Sequence, residues 1–234
     1  MITRNGALAV LIGALACAAP ATSTAAPTKV NVRIEGKTKT IFEGKVTTDT
    51  HEVDGSDGSG PHKCDGTNGG AGTTAGPTAT GAMDDATKIA GLTWSGKYDA
   101  SFDDFIVNQI AADAGTDKAF WGVAVAGKSL QVGGCQRVVT SGEEVLWAYD
   151  SFEKALLHAS GPKKVRAGKV LSVKVVDTDK ADAPVKGAAI GGKKTNSKGI
   201  AKLRFKTKGT KRLKATATNA IRSNQLTIKV LKKR

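Results

Sequence analysis

The stretch "KVNVRIEGKTKTIFEGKVTT" (29–48) places apolar residues at every second position. Val30, Val32 and Ile34 alternate with polar residues, and after Gly36 a second, shorter apolar run follows. Residues at every second position share one face of a β-strand. Alternation on both sides of a glycine-containing turn therefore predicts a β-hairpin.

The last third of the chain shows the same alternation. In "KVLSVKVVD" (169–177), Leu171, Val173 and Val175 share one face, which we expect to be buried, and the lysine stands on the outward face. The segment "TNSKG" (195–199) is typical of a turn. The predicted strands are 169–176, 184–190, 200–206, 211–218 and 224–230. Evenly spaced short strands indicate a β-sandwich.

A long loop and a helix are predicted after the hairpin. Residues 48–78 are rich in Gly, Thr, Ser and Asp and contain few large apolar side chains, which predicts a loop. The segment "TGAMDDATKIAG" (80–91) predicts a short helix capped by Thr80 and ended by Gly91.

The segment "SFDDFIVNQIAADAG" (101–115) fits two structures. Ser101 and Asp104 have the spacing of a helix capping box, whereas the apolar run 105–110 also suits a buried strand. Two clearer strands follow. "KAFWGVAVAGKSL" turns at Gly127–Lys128, and "GEEVLWAYD" places Val145, Trp147 and Tyr149 on one face.

The formal charge of +14 is unevenly distributed. Residues 26–151 contain 11 basic and 17 acidic residues, whereas residues 152–234 contain 23 basic and 4 acidic residues. This break predicts two domains, 26–152 and 153–234, of ordinary size. The segment "HASGPKKVRAG" (158–168) is expected at the join or at a turn just past it.

The N-terminus has the pattern of a secretory signal peptide. Arg4 precedes an apolar run from Ala7 to Ala19, and small residues follow. We expect cleavage after Ala25, so that residues 1–25 are removed. A lipid-anchored Cys17 is the alternative. No later segment is apolar enough to span a bilayer. The mature protein is therefore expected outside the cell or on its surface.

Signal removal leaves Cys64 and Cys135, which in an exported chain most simply form one disulfide. Such a bond would close a loop of about 70 residues and hold a segment too polar to be held by burial. Two free thiols are the competing interpretation.

Four segments carry a resemblance to a known family: "CDGTNGG", "SFDDFIVNQI", "KAFWGVAVAGKSLQVGGCQ" and "GEEVLWAYD". In this order they resemble a family of bacterial exported domains related to the C-terminal domain of transcobalamin, over residues 29–152. The resemblance implies a β-grasp-like α+β domain, a strand at 105–110 and the Cys64–Cys135 disulfide. The remainder, with "TNSKGIAKLRF", resembles bacterial immunoglobulin-like or carboxypeptidase-regulatory-like sandwiches. The expected fold is therefore mainly β, with an α+β first domain and an immunoglobulin-like second domain.

Catalytic motifs are missing from the sequence: it has no nucleophile elbow, P-loop, HExxH or CxxC. We expect no catalysis and no cofactor. Histidines and carboxylates of the loop are candidate metal ligands, although their spacing matches no EF-hand or zinc motif, and a flexible loop is the favoured interpretation. These candidates are His51, Asp54, Asp57 and His62, with Asp65 next to them.

Aromatic residues of the first half are candidates for a small-molecule site, namely Trp121, Trp147 and Tyr149. In transcobalamin the related domain helps to enclose a corrinoid, which makes a corrinoid-like or glycan ligand an expectation by resemblance. Core filling is the favoured alternative, because aromatics at alternating strand positions are usually buried.

A surface with 23 basic residues attracts polyanions. Cell-wall and other anionic polymers are the expected partners. Nucleic acid is not expected, because Phe205 is the single aromatic residue of the second domain on which nucleic-acid bases could stack. Solubility, or docking of the basic domain onto the acidic one, is the alternative. The candidate polyanion-binding residues are Lys163, Lys164, Lys193, Lys194, Lys211, Arg212, Lys232 and Lys233.

The sequence therefore predicts a secreted, non-catalytic binding or structural module attached to the cell envelope by its basic domain. A small-ligand carrier is the first alternative. A hydrolase, whose polar groups would converge near His51 and His62, is the second.

Overall fold

The computed structural model describes residues 25–233 and is mainly β, which confirms the predicted fold class. The predicted signal peptide, apart from its last residue, lies outside the described residues. The elements of the first half are β1 (Thr28–Glu35), β2 (Thr40–Thr48), β3 (Val53–Asp54), β4 (Pro61–His62), α1 (Ala79–Ile89), β5 (Trp94–Asp99), β6 (Asp104–Ile110), β7 (Asp113–Ala114), β8 (Trp121–Val125), β9 (Lys128–Ser129) and β10 (Glu144–Tyr149).

The second half is built from shorter strands around a separate hydrophobic core, whose residues lie between Leu157 and Ile228. The core of the first half draws its residues from Val30 to Trp147. The predicted domain boundary at residues 152 and 153 lies in the connection between the two cores. The strands of the second half are β11 (Ala155–Ser160), β12 (Lys164–Arg166), β13 (Val170–Asp177), β14 (Ala183–Pro184), β15 (Ala189–Ile190), β16 (Lys193–Lys194), β17 (Ile200–Arg204), β18 (Gly209–Leu213), β19 (Ala220–Ile221) and β20 (Leu226–Leu231).

The predicted hairpin is confirmed, because β1 and β2 pair antiparallel. β1 also pairs parallel with β10, and the main sheet of the first half has the order β2-β1-β10-β8-β9. Val30, Val32 and Ile34 point from β1 into the first core, where they meet Met83 of α1. The alternation in the sequence therefore directs this face toward the helix, as it predicts.

Helix α1 lies where the sequence predicts it, but its cap is Thr78 and not Thr80. The backbone of Thr78 is extended, and its hydroxyl accepts a hydrogen bond from the Gly81 amide at 3.1 Å. An N-cap residue needs this extended backbone and an amide three residues on. Thr80 already lies in the first helical turn, so its hydroxyl cannot play that role.

The ambiguous segment 101–115 forms strand β6, and the helix alternative is wrong. β6 pairs antiparallel with β5 from Asp104 to Ile110. The carboxylate of Asp104 accepts the amides of Phe105, at 2.7 Å, and Cys135, at 3.0 Å, so it caps no helix. Pairing with the preceding strand β5, four residues away in sequence, decided a choice that short apolar runs leave open.

The Cys64–Cys135 disulfide is present, and it joins residues 71 positions apart. Both cysteines are buried in the first core. The loop before α1 contains two-residue strands, β3 and β4, and one 3-10 turn, Asn68–Gly70. A largely irregular segment is thus fixed to the core by a covalent bond as well as by packing.

The second half differs from its predicted strands at three places. β11 and β12 occupy part of the segment 158–168 that was expected to hold the join. The predicted strand 184–190 is interrupted between β14 and β15, where Gly187 adopts a φ of +82° that breaks an extended chain. The predicted strand 211–218 starts earlier and ends at Leu213. The strands at 169–176, 200–206 and 224–230 are confirmed within two residues at each end.

The inward and outward faces of the second half follow the alternation. Leu171, Val173 and Val175 are buried in the second core, and Ser172 and Lys174 between them are exposed. β13 pairs with β11, β14 and β17, whereas β20 lies between β12 and β18 in a separate sheet. Both sheets contribute to one core, which is the arrangement of a sandwich.

The two halves meet across the second face of the main sheet. Leu146 and Ala148 of β10 point away from α1 and pack with Leu156 and Ile221 of the second half. β10 is consequently buried on both faces, with Val145 and Trp147 on one and Leu146 and Ala148 on the other.

An ion network surrounds this apolar contact. Glu35, with 1% of its side chain exposed, binds Lys214 at 2.5 Å and Arg222 at 2.8 Å, both from the second half. Lys214 also contacts Glu43 at 2.7 Å. Arg33 binds Glu144 at 2.6 Å. Charged residues of β1 that alternation would place toward water are therefore covered and paired.

A second contact between the halves lies at the turn between β8 and β9. The amide and hydroxyl of Ser129 both donate to the Asp179 carboxylate at 2.9 Å. Gly127 has a φ of +77°, and a Cβ there would lie 2.6 Å from the Thr178 side chain. The turn needs glycine both for its conformation and for the close approach.

Candidate functional site

A cleft with a volume of about 880 Å³ opens where β6 and β8 of the first half face the start of the second half. Large apolar side chains that are about half-exposed or more line it. Five of the seven such side chains in residues 25–233 belong to this one cleft. These five are Phe102, Ile106, Phe120, Val132 and Phe152.

Strand alternation and one turn place the first wall of the cleft. Phe105 and Val107 of β6 enter the first core, so Ile106 between them points outward into the cleft. Phe102 lies in the turn just before β6, in which Asp103 has a φ of +51°. The backbone carbonyl of Phe102 accepts the Gln136 side-chain amide at 3.0 Å, which fixes this turn against the disulfide segment.

The second wall comes from the connection between the halves. Phe152 lies between β10 and β11 with 75% of its surface exposed. The carbonyl of Phe120 accepts the Asp150 amide at 2.8 Å, which ties the start of β8 to this connection. The Lys154 ammonium lies 2.5 Å from the Asp150 carboxylate, so this ion pair links the two ends of the connection that contains Phe152.

Asp104 lies at the floor of the cleft and is 3% exposed. Burial raises the pKa of Asp104 to about 6, although amides of Phe105, Cys135 and Gln136 donate to its carboxylate and favour the charged form. Its close neighbour Gly133 leaves no room for a side chain, since a Cβ there would lie 2.2 Å from the carboxylate.

The predicted aromatic ligand residues are divided by the structure. Trp147 is buried in the first core, and its indole donates to the Ala79 carbonyl at 3.2 Å. Trp121 belongs to the same core, donates to the Asp113 carbonyl at 2.9 Å, and also lines the cleft. Tyr149 packs edge-on against Trp121, and Lys37 lies over its ring. Of the three, Trp121 alone lines the cleft.

Sequence reasoning missed the phenylalanines at 102, 120 and 152. All three flank strands rather than lie within them, whereas the sequence pattern placed Phe102 in the ambiguous segment 101–115 and Phe120 in the strand segment "KAFWGVAVAGKSL". At Phe102 and Phe152 the available signal was a large apolar side chain between a serine and an acidic residue, where a buried strand residue is not expected.

The predicted metal ligands are not brought together. His51 lies beside Asp84, with its Nε2 3.3 Å from the carboxylate, and beside Asp85. Within residues 25–233, these three form the one group of His, Cys, Asp or Glu side chains whose ligand atoms lie within 4.8 Å of one another. Asp54 accepts the Ser56 amide instead, at 2.7 Å, and Asp65 accepts the Thr67 amide at 2.9 Å.

The His51 group is arranged as a charge network. The hydrogen bond to Asp84, opposed by burial, raises the pKa of His51 to about 9. Burial raises the pKa of Asp84, but hydrogen bonds from His51, Lys88 and Trp94 outweigh it and hold that pKa below its usual value. The Lys88 ammonium lies 2.6 Å from the Asp84 carboxylate. A proton on His51 and the Lys88 ammonium occupy the lone pairs of His51 and Asp84 with which a metal cation would otherwise be coordinated.

His62, Ser59 and Asp57 form a hydrogen-bonded chain, but in an order that does not serve nucleophilic catalysis. His62 contacts the Ser59 hydroxyl at 2.8 Å, and that hydroxyl donates to Asp57 at 2.5 Å. In a catalytic triad the histidine lies between serine and acid, so that it takes the serine proton. Here the serine proton points to the acid, and the His62 ring stacks on Tyr98 at 3.7 Å.

The candidate polyanion-binding residues lie on the surface of the second half. Lys211 is half-buried, with its ammonium 6.0 Å from the Phe205 ring, and the others are exposed. Lys164, Lys211 and Arg212 belong to the β12-β20-β18 sheet, whereas Lys193 and Lys194 form β16 in a separate two-stranded ribbon. Lys163, Lys232 and Lys233 adjoin the ends of β12 and β20.

Lys164 lies directly beside Lys229 in the parallel pairing of β12 with β20. Among the basic residues from Lys163 to Lys233, Lys214 and Arg222 alone lie within 4.0 Å of a carboxylate of the described residues. The outer surface of the second half is thus positively charged without local compensation.

The fold and the cleft define a class of protein: a two-core, β-rich chain with an apolar cleft between its cores. A scan against protein-family models matches no family, and a search of curated proteins finds no similar sequence. No helix within residues 25–233 has the length and apolar character needed to cross a bilayer.

Proposed function

We propose that this protein is a non-catalytic binding module that holds a small, largely apolar ligand in the cleft between its two cores. The observation that carries this proposal is that most of the large exposed apolar side chains gather in that one cleft. Contiguous exposed apolar surface marks binding sites, and ligand pockets combine apolar walls with a few fixed polar groups. The cleft has both features.

Burial of the cleft walls would provide the affinity. Each Å² of apolar surface removed from water contributes about 25 cal/mol. Phe102, Phe120 and Phe152 keep half or more of their surface in water, so a ligand that covers them gains this contribution. The backbone carbonyls of Phe102 and Phe120 accept hydrogen bonds from the Gln136 side chain and the Asp150 amide, so little backbone ordering is needed there on binding.

Titration with Nile red, an uncharged dye whose emission shifts to the blue in apolar surroundings, tests the proposal. We expect saturable binding of one dye per chain. Phe152→Ser should weaken it about fivefold or more, because this substitution removes one apolar wall. The control is Val170→Ser, which removes an apolar side chain that is about half exposed and lies outside the cleft. Equal losses in both variants, or no saturable binding, would overturn the proposal.

A second proposed function, attachment to anionic polymers of the cell envelope, is supported by the uncompensated lysines of the second half. No acidic residue occurs after Asp182, whereas basic residues continue to the C-terminus. Lys164 and Lys229 are adjacent like charges, which is unfavourable unless an anion binds between them. We expect an exported protein of this kind to be held at the cell surface by charge.

Retention on immobilised teichoic acid across a salt series tests this attachment. We expect retention at low salt that falls steeply as salt rises, because exposed charges are screened over about 8 Å at physiological ionic strength. Lys164→Gln with Lys229→Gln should elute at clearly lower salt. Lys97→Gln with Lys118→Gln removes two exposed lysines of the first half and should change nothing. Equal shifts for both pairs would leave only a dependence on net charge and refute a specific surface.

A further inference from the structure

The cleft differs in charge from the rest of the second half. That half contains four acidic residues, and three of them, Glu153, Asp177 and Asp179, line the cleft. Asp104 of the first half adds a fourth carboxylate at the floor. A basic protein has thus concentrated carboxylates at its most apolar surface.

Two lysines also line the cleft, but one of them is already paired. Lys154 contacts Asp150 at 2.5 Å, and Asp150 does not line the cleft. Lys180 lies at the rim and is exposed. The four carboxylates therefore outnumber the free positive charges of the lining.

Three of the four carboxylates of the lining have neutral partners. Asp177 accepts the Leu156 amide at 3.0 Å, and Asp179 accepts the amide and hydroxyl of Ser129. Asp104 accepts backbone amides. None of the four cleft carboxylates lies within 4.0 Å of a basic side chain of residues 25–233. Neutral donors orient a carboxylate without cancelling its charge. Asp104 and Asp177 lie buried beneath the lining, at 3% and 4% exposure, whereas Glu153 and Asp179 are accessible to a ligand.

We propose that the ligand of this cleft is an organic cation with a bulky apolar or aromatic body. This inference rests on the proposed function of the cleft and names the class of its ligand. The phenylalanine faces attract a cation through their ring quadrupoles and cover its apolar body. The carboxylates at the floor and rim complement its charge, and the apolar walls exclude the water that would screen it.

The alternative, an anionic amphiphile, is the ligand that net charge alone favours. Long-range attraction of a chain with a charge of +14 concentrates anions around it. The cleft is expected to prefer the opposite sign, because contact charges act over a few ångströms whereas distant lysines are screened. Preference for a cation is thus a property of the cleft that the whole molecule would not show.

Tetraphenylphosphonium and tetraphenylborate test this inference, because they have nearly the same size and shape and opposite charge. Both are titrated by calorimetry into the purified chain beginning at Ala26, at about 0.15 M salt. Binding at the cleft is defined as the part lost in Phe152→Ser and kept in Val170→Ser. We expect this part to be about tenfold tighter for tetraphenylphosphonium.

Charge variants sharpen the same experiment. Glu153→Gln should lower tetraphenylphosphonium affinity about twofold to fivefold and leave Nile red binding unchanged, since the dye carries no charge. No described hydrogen bond or ion pair involves the Glu153 side chain, so this variant should fold normally. Lys180→Gln, which removes the opposite charge from the same rim, should strengthen tetraphenylphosphonium binding.

The outcomes separate the inference from the proposed function. Tighter binding of tetraphenylborate at the cleft, together with binding of Nile red, would overturn the cation preference and leave the ligand-binding function standing. Absence of cleft binding for the dye and for both ions would overturn both. Equal affinity for the two ions at the cleft would show that charge plays no part and would also refute the inference.

Discussion

The two halves of this protein stabilise their cores by different means. The first half packs one helix on a mixed sheet and closes a disulfide across 71 residues. The second half, within the described residues, has neither a helix nor a disulfide and depends on two facing sheets. Where they meet, the contact combines a small apolar cluster with buried ion pairs.

This difference teaches where each half is vulnerable. The first half has a long irregular segment before α1 that packing alone would not hold, so it depends on a covalent bond. The second half consists of short strands joined by short connections, and the like charges of its surface lysines and arginines repel one another.

Cys64→Ala with Cys135→Ala should lower the free energy of unfolding by about 4 kcal/mol, because the bond removes the loop entropy of the unfolded chain. Urea unfolding followed by tryptophan fluorescence measures the loss, since all three tryptophans lie in the first half. Reductant should destabilise the natural protein and leave the double variant unaffected. An equal response of both proteins to reductant would contradict the role of the bond.

Glu35→Ala should cost about 3 kcal/mol, because it leaves Lys214, Arg222 and Arg33 near a partly desolvated site without their shared partner. The unfolding transition should also become broader, as the halves lose a connection. Glu143→Ala serves as the control, because its pair with Arg137 lies within the first half. It should cost about 1 kcal/mol or less. Similar losses for both would show that the network does not couple the halves.

His51 should make the stability of the first half depend on pH. Its pKa is raised from 6.5 to about 9, so the protonated ring stabilises the fold fully below pH 6.5. That contribution is lost as pH rises through about 9. The free energy of unfolding should fall by about 2 kcal/mol over this range, a value reduced to allow for the 21% exposure of the ring to solvent. Urea unfolding at both pH values measures it, and His51→Gln should remove the difference. A pH dependence that persists in this variant would assign the effect to another group.

Lys164→Gln should raise the stability of the second half by about 0.5 kcal/mol, because it relieves the contact with Lys229. Differential scanning calorimetry detects such a change as a small increase in Tm. Lys97→Gln is the matched control, since Lys97 lies opposite Ile106 on the neighbouring strand and should show no gain. No gain at Lys164 would mean that the two ammonium groups already diverge.

Much of the fold could be predicted from the sequence by itself. The β-hairpin at the start, the helix before Gly91 and the buried faces of β13 and β20 follow from local periodicity, which depends on neighbours along the chain. The two cysteines that follow the predicted signal peptide implied the disulfide. These features are encoded by residues close in sequence or by simple counting.

Only the tertiary structure decided the rest. Arg33 and Glu35 became buried because Lys214 and Arg222 cover them. Phe102, Phe120 and Phe152 are far apart in sequence and meet in one cleft because two cores pack beside each other. Periodicity states which way a side chain points from its own strand, but what it meets there depends on long-range packing.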